Sequence, residues 1–389
     1  ANVTMARLEA VEGVKTLKNI DLTFSGTENG FIKEITTKLS DVRFENVKLN
    51  FESSTSNVGI IGTESGNMDN TEFSEITIVA EKSTNVGIVG YSTAIMDNIR
   101  MKNVTVHGNY RVGGLVGKGI GEILNTNADN INVTGNYDNT GGIIGYAQSK
   151  LENITVNNSN VSGQNNIGGM SGYQEGAINK NSSALFVDNS NIEGNNNVGG
   201  IHGYLMSYGG GKKYIFNSTI TGNGNNIGGI VGNNTGGSST TSAKVVNCEI
   251  KGIGANSNSV GGISGLSHAT VQNAYIQDSK VTSNGSNIGG LVGENDGHQI
   301  TIYTNYAMNV KIEGYNNVGG FIGDAKQHII LSTNYISGSI TAVGSNIGGL
   351  VGTLNNSAMT AVSNISSILD NYVANTEING NNNVGGLIG

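Results

Sequence analysis

The sequence predicts an all-β fold, a parallel β-helix whose coils stack into one elongated rod. A seven-residue phrase, Asn-(Val/Ile)-Gly-Gly-apolar-x-Gly, recurs along the chain and is called the glycine phrase below. Apolar residues make up only 36% of the 389 residues, which suits a narrow, continuous core better than a compact one. Glycine has 60 copies without a three-residue period and proline is absent, which excludes collagen.

The spacing of the glycine phrase predicts the number of coils. Its first glycine lies at positions 59, 87, 113, 141, 168, 199, 228, 261, 289, 319, 348 and 385, and a weaker copy begins near Gly30. Repeats of this length are typical of solenoids. We therefore predict about 12–13 coils, right-handed as parallel crossovers usually are. Residues 1–25 are predicted to form a cap or lead-in, and residues 26–389 the solenoid.

Three apolar stations in each repeat predict three short strands per coil. The first station flanks the glycine pair, as Val112 and Leu115 do, and the second lies seven or eight residues before the pair, as Val106 does. The third lies about 13 residues before the next pair and is interpreted as core. It contains Phe186, Ile215, Cys248, Tyr306, Tyr335 and Tyr372. Cys248 is accordingly predicted to be a buried, unreactive thiol.

The glycine pair is interpreted as a bulge or corner. Apolar residues on either side of it are three positions apart, which breaks the two-residue period of a strand. Glycine accepts the positive φ that a bulge can require. The position after the second apolar residue holds Ser171, His202 and Ser264 in three repeats and is predicted to face solvent.

Asparagine is the first residue of most copies of the phrase, two positions before the first glycine, and predicts a structural ladder along one corner. Its amide can bond to the same amide one coil away, and it tolerates left-handed backbone. Arg111 and Ser259 replace it in two repeats. Ligand recognition by this row is the alternative. The row contains Asn57, Asn85, Asn139, Asn166, Asn197, Asn226, Asn287, Asn317, Asn346 and Asn383.

These repeats resemble the GLUG-motif repeats of bacterial surface and secreted proteins. The resemblance is closest in residues 305–323 and 334–352, and it covers nearly the whole chain from about residue 29. Similar arrays occur in non-catalytic regions of immunoglobulin A metallopeptidases and in adhesin-like proteins. The resemblance implies a β-helix and an extracellular location, at the bacterial cell surface or secreted.

Composition narrows the location and the partners. A single cysteine permits no internal disulfide, which favours a Gram-positive surface type. A net charge of -8 gives no basic surface for nucleic acid, and no apolar stretch is long enough for a membrane span. The chain starts at Ala1 and stops at the closing glycine of a phrase, Gly389. We expect further coils or a domain after residue 389, or end-to-end self-association.

No residue pattern points to a catalytic site or to a cofactor. None of the five histidines is followed by glutamate, so a His-Glu-x-x-His zinc motif is absent. His298 and His328 share a register and could pair around a metal, although two exposed loop histidines are the favoured interpretation. Carboxylates are sparse and scattered, unlike those of glycan-cleaving β-helices.

A row of tyrosines is the strongest candidate for ligand contact. Tyr91, Tyr146, Tyr173 and Tyr204 follow the closing glycine of four phrases. The favoured interpretation is structural stacking along the rod, and contact with a host glycan or protein is the alternative.

The sequence thus predicts a non-catalytic surface stalk or adhesin scaffold. One alternative is a substrate-binding exosite region of a large secreted zinc metallopeptidase. Another is a glycan-active β-helix enzyme, for which clustered carboxylates in a groove would be required.

Overall fold

The computed structural model describes residues 15–148, 150–176, 184–206, 211–236, 240–296, 299–355 and 366–389. Its regular structure in these residues consists entirely of β-strands, which form a parallel β-solenoid of about 11 turns. The predicted fold class, an all-β parallel β-helix, is therefore confirmed, with about 11 turns instead of the predicted 12–13 coils. Each strand pairs in parallel with its equivalents in the neighbouring coils, as Val112 pairs with Thr140 and Thr140 with Ile167.

Four groups of strands occupy equivalent places in successive coils. The phrase strands end on the first glycine of the phrase. They are Thr140–Gly141, Asn165–Gly168, Asn196–Gly199, Ile227–Gly228, Val260–Gly261, Ile288–Gly289, Val318–Gly319, Ser345–Gly348 and Asn382–Gly385. The tyrosine-side strands follow the glycine pair. They are Gly30–Ile35, Ser56–Glu64, Val89–Ser92, Val116–Gly119, Ile144–Ala147, Ser171–Gln174, His202–Leu205, Val231–Asn234, Ser264–Ser267, Val292–Asn295, Ile322–Ala325 and Val351–Leu354.

The other two groups complete each coil. The corner strands are Leu39–Ser40, Met68–Asp69, Met96–Asp97, Thr240–Thr241, Val271–Gln272, Ile300–Tyr303, Ile329–Ser332 and Ser367–Leu369. The broad-face strands are Lys15–Phe24, Val42–Phe51, Glu72–Val86, Arg100–Gly113, Ile123–Gly135, Leu151–Asn157, Asn160–Ser162, Ala184–Asp188, Asn191–Gly194, Lys212–Phe216, Thr219–Gly222, Ala243–Val246, Glu249–Gly252, Tyr275–Gln277, Lys280–Ser283, Tyr306–Gly314, Tyr335–Ala342 and Tyr372–Asn379. The earliest phrases lie within the longer strands.

A central coil is divided into more strands than the three predicted. The coil between Gly261 and Gly289 contains five short strands. Residues with positive φ separate four of them, at Asn273 (φ 50°), Asp278 (φ 48°) and Asn287 (φ 66°). A left-handed residue turns the chain sharply, so each coil consists of short straight segments joined by corners.

Apolar side chains from successive coils form one continuous core, as the apolar stations predict. Val112 and Leu115, which flank a glycine pair, are fully buried, and so is the polar Thr140 in the next coil. In the last coil the equivalent residues Val384 and Leu387 are 47% and 53% exposed. The first station therefore faces inward in the described coils before the last.

The prediction that Ser171, His202 and Ser264 face solvent is wrong, because all three are fully buried. The chain bends at the glycine pair, and each of these residues begins a tyrosine-side strand. The preceding apolar residue, Met170 in the first case, is also fully buried. Two consecutive residues can both face inward because the first still belongs to the bend, where strand alternation does not apply, and the second begins the strand.

The glycine pair does not supply a positive φ, so that part of the bulge interpretation is also wrong. Among the described glycines only Gly211 and Gly338 have positive φ, and neither belongs to a phrase. Phrase glycines are required by close approach instead. A Cβ on Gly113 would lie 2.0 Å from the Val116 carbonyl oxygen, and one on Gly117 would lie 2.2 Å from the Asn85 carbonyl carbon. Those contacts are with backbone, which cannot move aside.

The predicted core station 13 residues before the glycine pair contains residues from different positions of the coil, so it is wrong as a single core station. Phe186, Tyr306, Tyr335 and Tyr372 all face outward, and Tyr306 and Tyr372 are 43% and 62% exposed. Only Ile215 and Cys248 are buried, at 0% and 4% exposure. Counting 13 residues back from the glycine pair does not reach the same strand position in every coil, because corner residues interrupt the strand alternation and the coils differ in length.

Cys248 is a free, buried cysteine, as predicted, and it occupies a row of buried serines. Ser190, Ser218 and Ser279 each donate a hydrogen bond to the carbonyl two residues earlier, and the Cys248 thiol does the same to Val246. Burial raises the pKa of the Cys248 thiol to about 11. The reactive thiolate is therefore scarce at neutral pH.

Candidate functional site

The asparagines that begin the glycine phrases form a ladder of amide hydrogen bonds. Seven of the ten donate their Nδ2 to the Oδ1 of the counterpart one coil earlier. The distance is 2.8 Å from Asn166 to Asn139, from Asn197 to Asn166 and from Asn226 to Asn197. Backbone φ is positive at every predicted position of the row. The same side chain thus permits the corner and bonds it to the next coil.

Two breaks in the ladder occur where other residues occupy the corner. Arg111 and Ser259 keep the positive φ. The guanidinium of Arg111 lies 5.0 Å from the ring centroid of Tyr110 and 5.1 Å from that of Tyr146. Ser259 Oγ donates to Glu294 at 2.9 Å. Most ladder oxygens and amides are occupied by one another, which favours the structural interpretation of the row. Asn85 Oδ1, beside the break at Arg111, has no hydrogen-bond partner among the described residues.

Sequence reasoning missed a second ladder on the broad face. Asn130 donates to Asn103 at 2.7 Å, and Asn247 donates to Asn217 at 2.8 Å. The sequence does carry a pattern that could have revealed this ladder. An asparagine or an acidic residue lies eight to twelve positions before the first-ladder position of each repeat. All members have positive φ; they are Asn19, Asn46, Glu75, Asn103, Asn130, Asn158, Asn189, Asn217, Asn247, Asp278 and Asn309.

The predicted tyrosine row lies on the outer surface of the tyrosine-side strands. Tyr91 and Tyr146 flank Lys118 in register, and Tyr146, Tyr173 and Tyr204 follow one another. Ring centroids are 5.0 Å apart for Tyr146 and Tyr173 and 4.9 Å apart for Tyr173 and Tyr204, with an interplanar angle of 5° in both pairs. The rings stack face to face along the rod.

Stacking covers the ring faces that a sugar would need. Lys118 Nζ lies 5.8 Å from the ring centroids of both Tyr91 and Tyr146, so a cation occupies the remaining gap. The Tyr146 hydroxyl donates to Glu175, and burial together with this carboxylate raises the pKa of Tyr146 to about 12. These contacts favour the structural interpretation, because mainly ring edges are left for a partner.

The two candidate metal ligands do not form a described site. His298 lies outside the described residues. His328 is only 7% exposed, so the expectation of an exposed loop histidine is wrong for this residue. Among the described residues, no group of three or more histidine, cysteine or acidic side chains could hold a metal ion.

A buried serine and histidine lie side by side within the core. Ser171 Oγ is 2.7 Å from His202 Nδ1, and both residues are fully buried. Burial, with a contribution from the nearby charge of Lys213, lowers the pKa of His202 well below its usual value. The pair resembles a nucleophile and its base only in composition, since no substrate can reach a fully buried pair.

An outward aromatic row replaces the predicted core station on the broad face. In seven consecutive coils it contains Phe186, Tyr214, Lys244, Tyr275, Tyr306, Tyr335 and Tyr372. The Phe186 and Tyr214 rings meet at 64°, and the Tyr275 and Tyr306 rings are 6.5 Å apart at 50°. Tilted rings leave more of their faces open than the stacked tyrosine row does.

A polar groove, also missed by sequence reasoning, crosses the broad face of the N-terminal coils. It consists of three adjoining depressions of about 470 to 550 Å³. Glu81 and Lys82 line two of them. Asn50 lines one of these two, and Lys48 of the same strand lines the third. We call this surface, between Asn46 and Gln164, the polar groove. Its residues alternate with core residues on the strands, so only the correct strand register reveals them.

Comparison with protein-family models, curated proteins and solved structures finds no match for this chain. A membrane-crossing helix, which needs a long apolar stretch, is not found in the part of the chain that the structure describes.

Proposed function

We propose that this chain is a non-catalytic scaffold of the bacterial cell surface or of a secreted protein, acting as a stalk or adhesin. The observation that carries the proposal is the continuous core shared by successive coils, which extends from Phe24 to Val351. Asparagine ladders, interrupted at Arg111 and Ser259, add hydrogen bonds between the corners of neighbouring coils. Such a stack transmits force and presents long lateral surfaces, which suits a spacer or a binding scaffold.

Several side chains that could take part in catalysis are either buried or paired with another charged side chain. The Ser171–His202 pair is sealed in the core. On the broad face, Glu249 pairs with Lys251 and Glu313 with Lys311, each at 2.7 Å. The GLUG-like repeats and the single, buried cysteine support an extracellular, Gram-positive setting without disulfides.

The test is to incubate the purified chain with immunoglobulin A and, separately, with pectin. Gels and reducing-end assays would follow cleavage, with an active peptidase and a pectin lyase as positive controls. We expect no turnover of either substrate. Turnover that is lost on substitution of a single carboxylate or histidine would overturn the proposal.

The scaffold role also predicts a rod in solution. At about 4.8 Å per coil, the stack of about 11 turns is roughly 50 Å long. Small-angle X-ray scattering should give a distance distribution that the stack of coils reproduces, and a distribution that the stack does not fit would contradict the scaffold role.

A further inference from the structure

We propose that the polar groove binds an uncharged polysaccharide, an inference that rests on the proposed function of the chain as a binding scaffold. The groove crosses five consecutive coils and contains no deep apolar pocket among its lining residues. A long polymer with many hydroxyl groups suits such a shallow, extended surface better than a compact ligand.

Hydroxyl and amide side chains line the floor of the groove. Thr77, Thr105, Asn132 and Asn160 point outward in register from four neighbouring coils. Threonine hydroxyls and asparagine amides can each donate and accept hydrogen bonds, as sugar hydroxyls do. The row therefore offers matched partners at regular intervals along the rod.

The edge of the groove is held in place before any ligand binds. Asn103 accepts a hydrogen bond from Asn130 at 2.7 Å, and Asn103 donates one to Glu75. At the opposite edge, Asn136 lies 3.2 Å from His107 Nε2, and Glu81 lies 3.3 Å from its Nδ1. Fixed side chains lower the entropy cost of binding, which favours recognition of a weakly binding polymer.

Tyr137 supplies an aromatic ring at the loop edge. It is 54% exposed and lines the same depression as Asn109 and Gln164. Unlike the stacked Tyr146 and Tyr173 rings, a largely exposed ring can pack against the apolar face of a sugar.

The charges of the groove select against acidic polymers. Glu52, Glu75 and Glu81 outnumber Lys48 and Lys82 among the lining residues. Lys82 Nζ is also engaged by the Glu52 carbonyl at 3.1 Å. With a whole-chain charge of -8, the groove would repel a polyuronate, so the expected ligand is neutral.

The experiment is affinity electrophoresis in native gels cast with laminarin, galactomannan or xylan, and with polygalacturonate as the acidic comparison. We expect retardation by at least one neutral polysaccharide and none by polygalacturonate. Tyr137→Ala and Asn132→Ala should each weaken the retarding interaction about tenfold. Tyr315→Ala is the matched control, because Tyr315 is a 52% exposed loop tyrosine that lies outside the groove.

Three results would overturn the groove proposal. The first is no retardation by any of the three neutral polysaccharides. The second is stronger retardation by polygalacturonate than by the neutral polysaccharides. The third is an equal loss of retardation for Tyr137→Ala and Tyr315→Ala. Unchanged thermal unfolding of the variants would show that they remain folded. Failure here with no turnover of pectin or immunoglobulin A would remove the groove site alone, whereas turnover would remove the scaffold function itself.

Discussion

Glu64 lies in an inward row of the tyrosine-side strands that otherwise holds small, apolar or amide side chains. The same row contains Gln174 and Asn234, and Glu64 itself is fully buried. Burial raises the pKa of its carboxyl from 4.5 to about 8, and a 3.2 Å hydrogen bond from Ser92 offsets only part of this effect. At neutral pH the group is mostly protonated and resembles the amides of its row.

This carboxyl makes stability depend on pH in a defined direction. Its pKa in the folded state lies above the unfolded value, so the folded state binds the proton more tightly. The contribution of Glu64 to stability is therefore greatest below pH 4.5, falls as the pH rises toward 8, and stays low above it. The full loss of this contribution is on the order of 5 kcal/mol.

Replacing the carboxyl by an amide should remove that dependence. We expect Glu64→Gln to unfold at a higher temperature than the wild type at pH 9 and to lose less stability between pH 5 and pH 9. Thermal unfolding followed by circular dichroism would measure both. Glu34→Gln, at an exposed position on a neighbouring coil, is the control and should change little. If the unfolding temperatures of Glu64→Gln and the wild type changed in parallel with pH, the pH dependence could not be assigned to Glu64.

At the scale of the strand and corner, glycine and asparagine have separate tasks. Asparagine supplies the left-handed corners, and the phrase glycines allow two chain segments to approach more closely than a Cβ permits. At Gly172 a Cβ would lie 2.5 Å from the backbone of Asn139 and Thr140. At Gly163, outside a phrase, the nearest atoms are the ends of the Ile167 and Thr140 side chains, at 2.6 and 2.7 Å.

The two glycines therefore respond differently to the same substitution. Gly172→Ala should destabilise the chain by about 3 kcal/mol, because backbone atoms must move to accept the methyl group. Gly163→Ala should cost about 1 kcal/mol or less, since side-chain ends can rotate aside. Urea unfolding of both variants would measure the difference. Equal midpoints would mean that close backbone approach does not explain the phrase.

The repeat, the stacking of coils and the first asparagine ladder followed from the sequence because they depend on local residue types at a constant period. Which way the aromatic row faces did not follow. Tyr306 and Ile215 lie at similar distances from their glycine pairs, yet one is 43% exposed and the other buried. A corner residue interrupts strand alternation, and corner positions are visible only when coils are aligned in space. The polar groove was missed for the same reason.

At the scale of the whole molecule, the described coils share one core, so a buried group in the middle of the rod is protected from both sides. Cys248 lies among Ser218 and Ser279 of the adjoining coils. Exposing its thiol requires that neighbouring coils separate. The thiol therefore reports on opening of the stack.

We expect Cys248 to react with a thiol reagent far more slowly in the native chain than in urea. The control is Lys280→Cys in a Cys248→Ser background, which places a thiol on the exposed outer surface. Cys248→Ser should itself fold normally, because serine already occupies this row in adjoining coils. Comparable native rates for the two thiols would show that the central coils open readily.

The asparagine ladders also bear on how such a chain changes over generations. Each coil offers the next the same amide at the same corner, about 28 residues along the chain. A coil duplicated or deleted by unequal recombination would therefore find compatible partners on both sides. The rod can lengthen or shorten by whole coils without a new interface, whereas a change of a few residues within one coil must be absorbed by its loops.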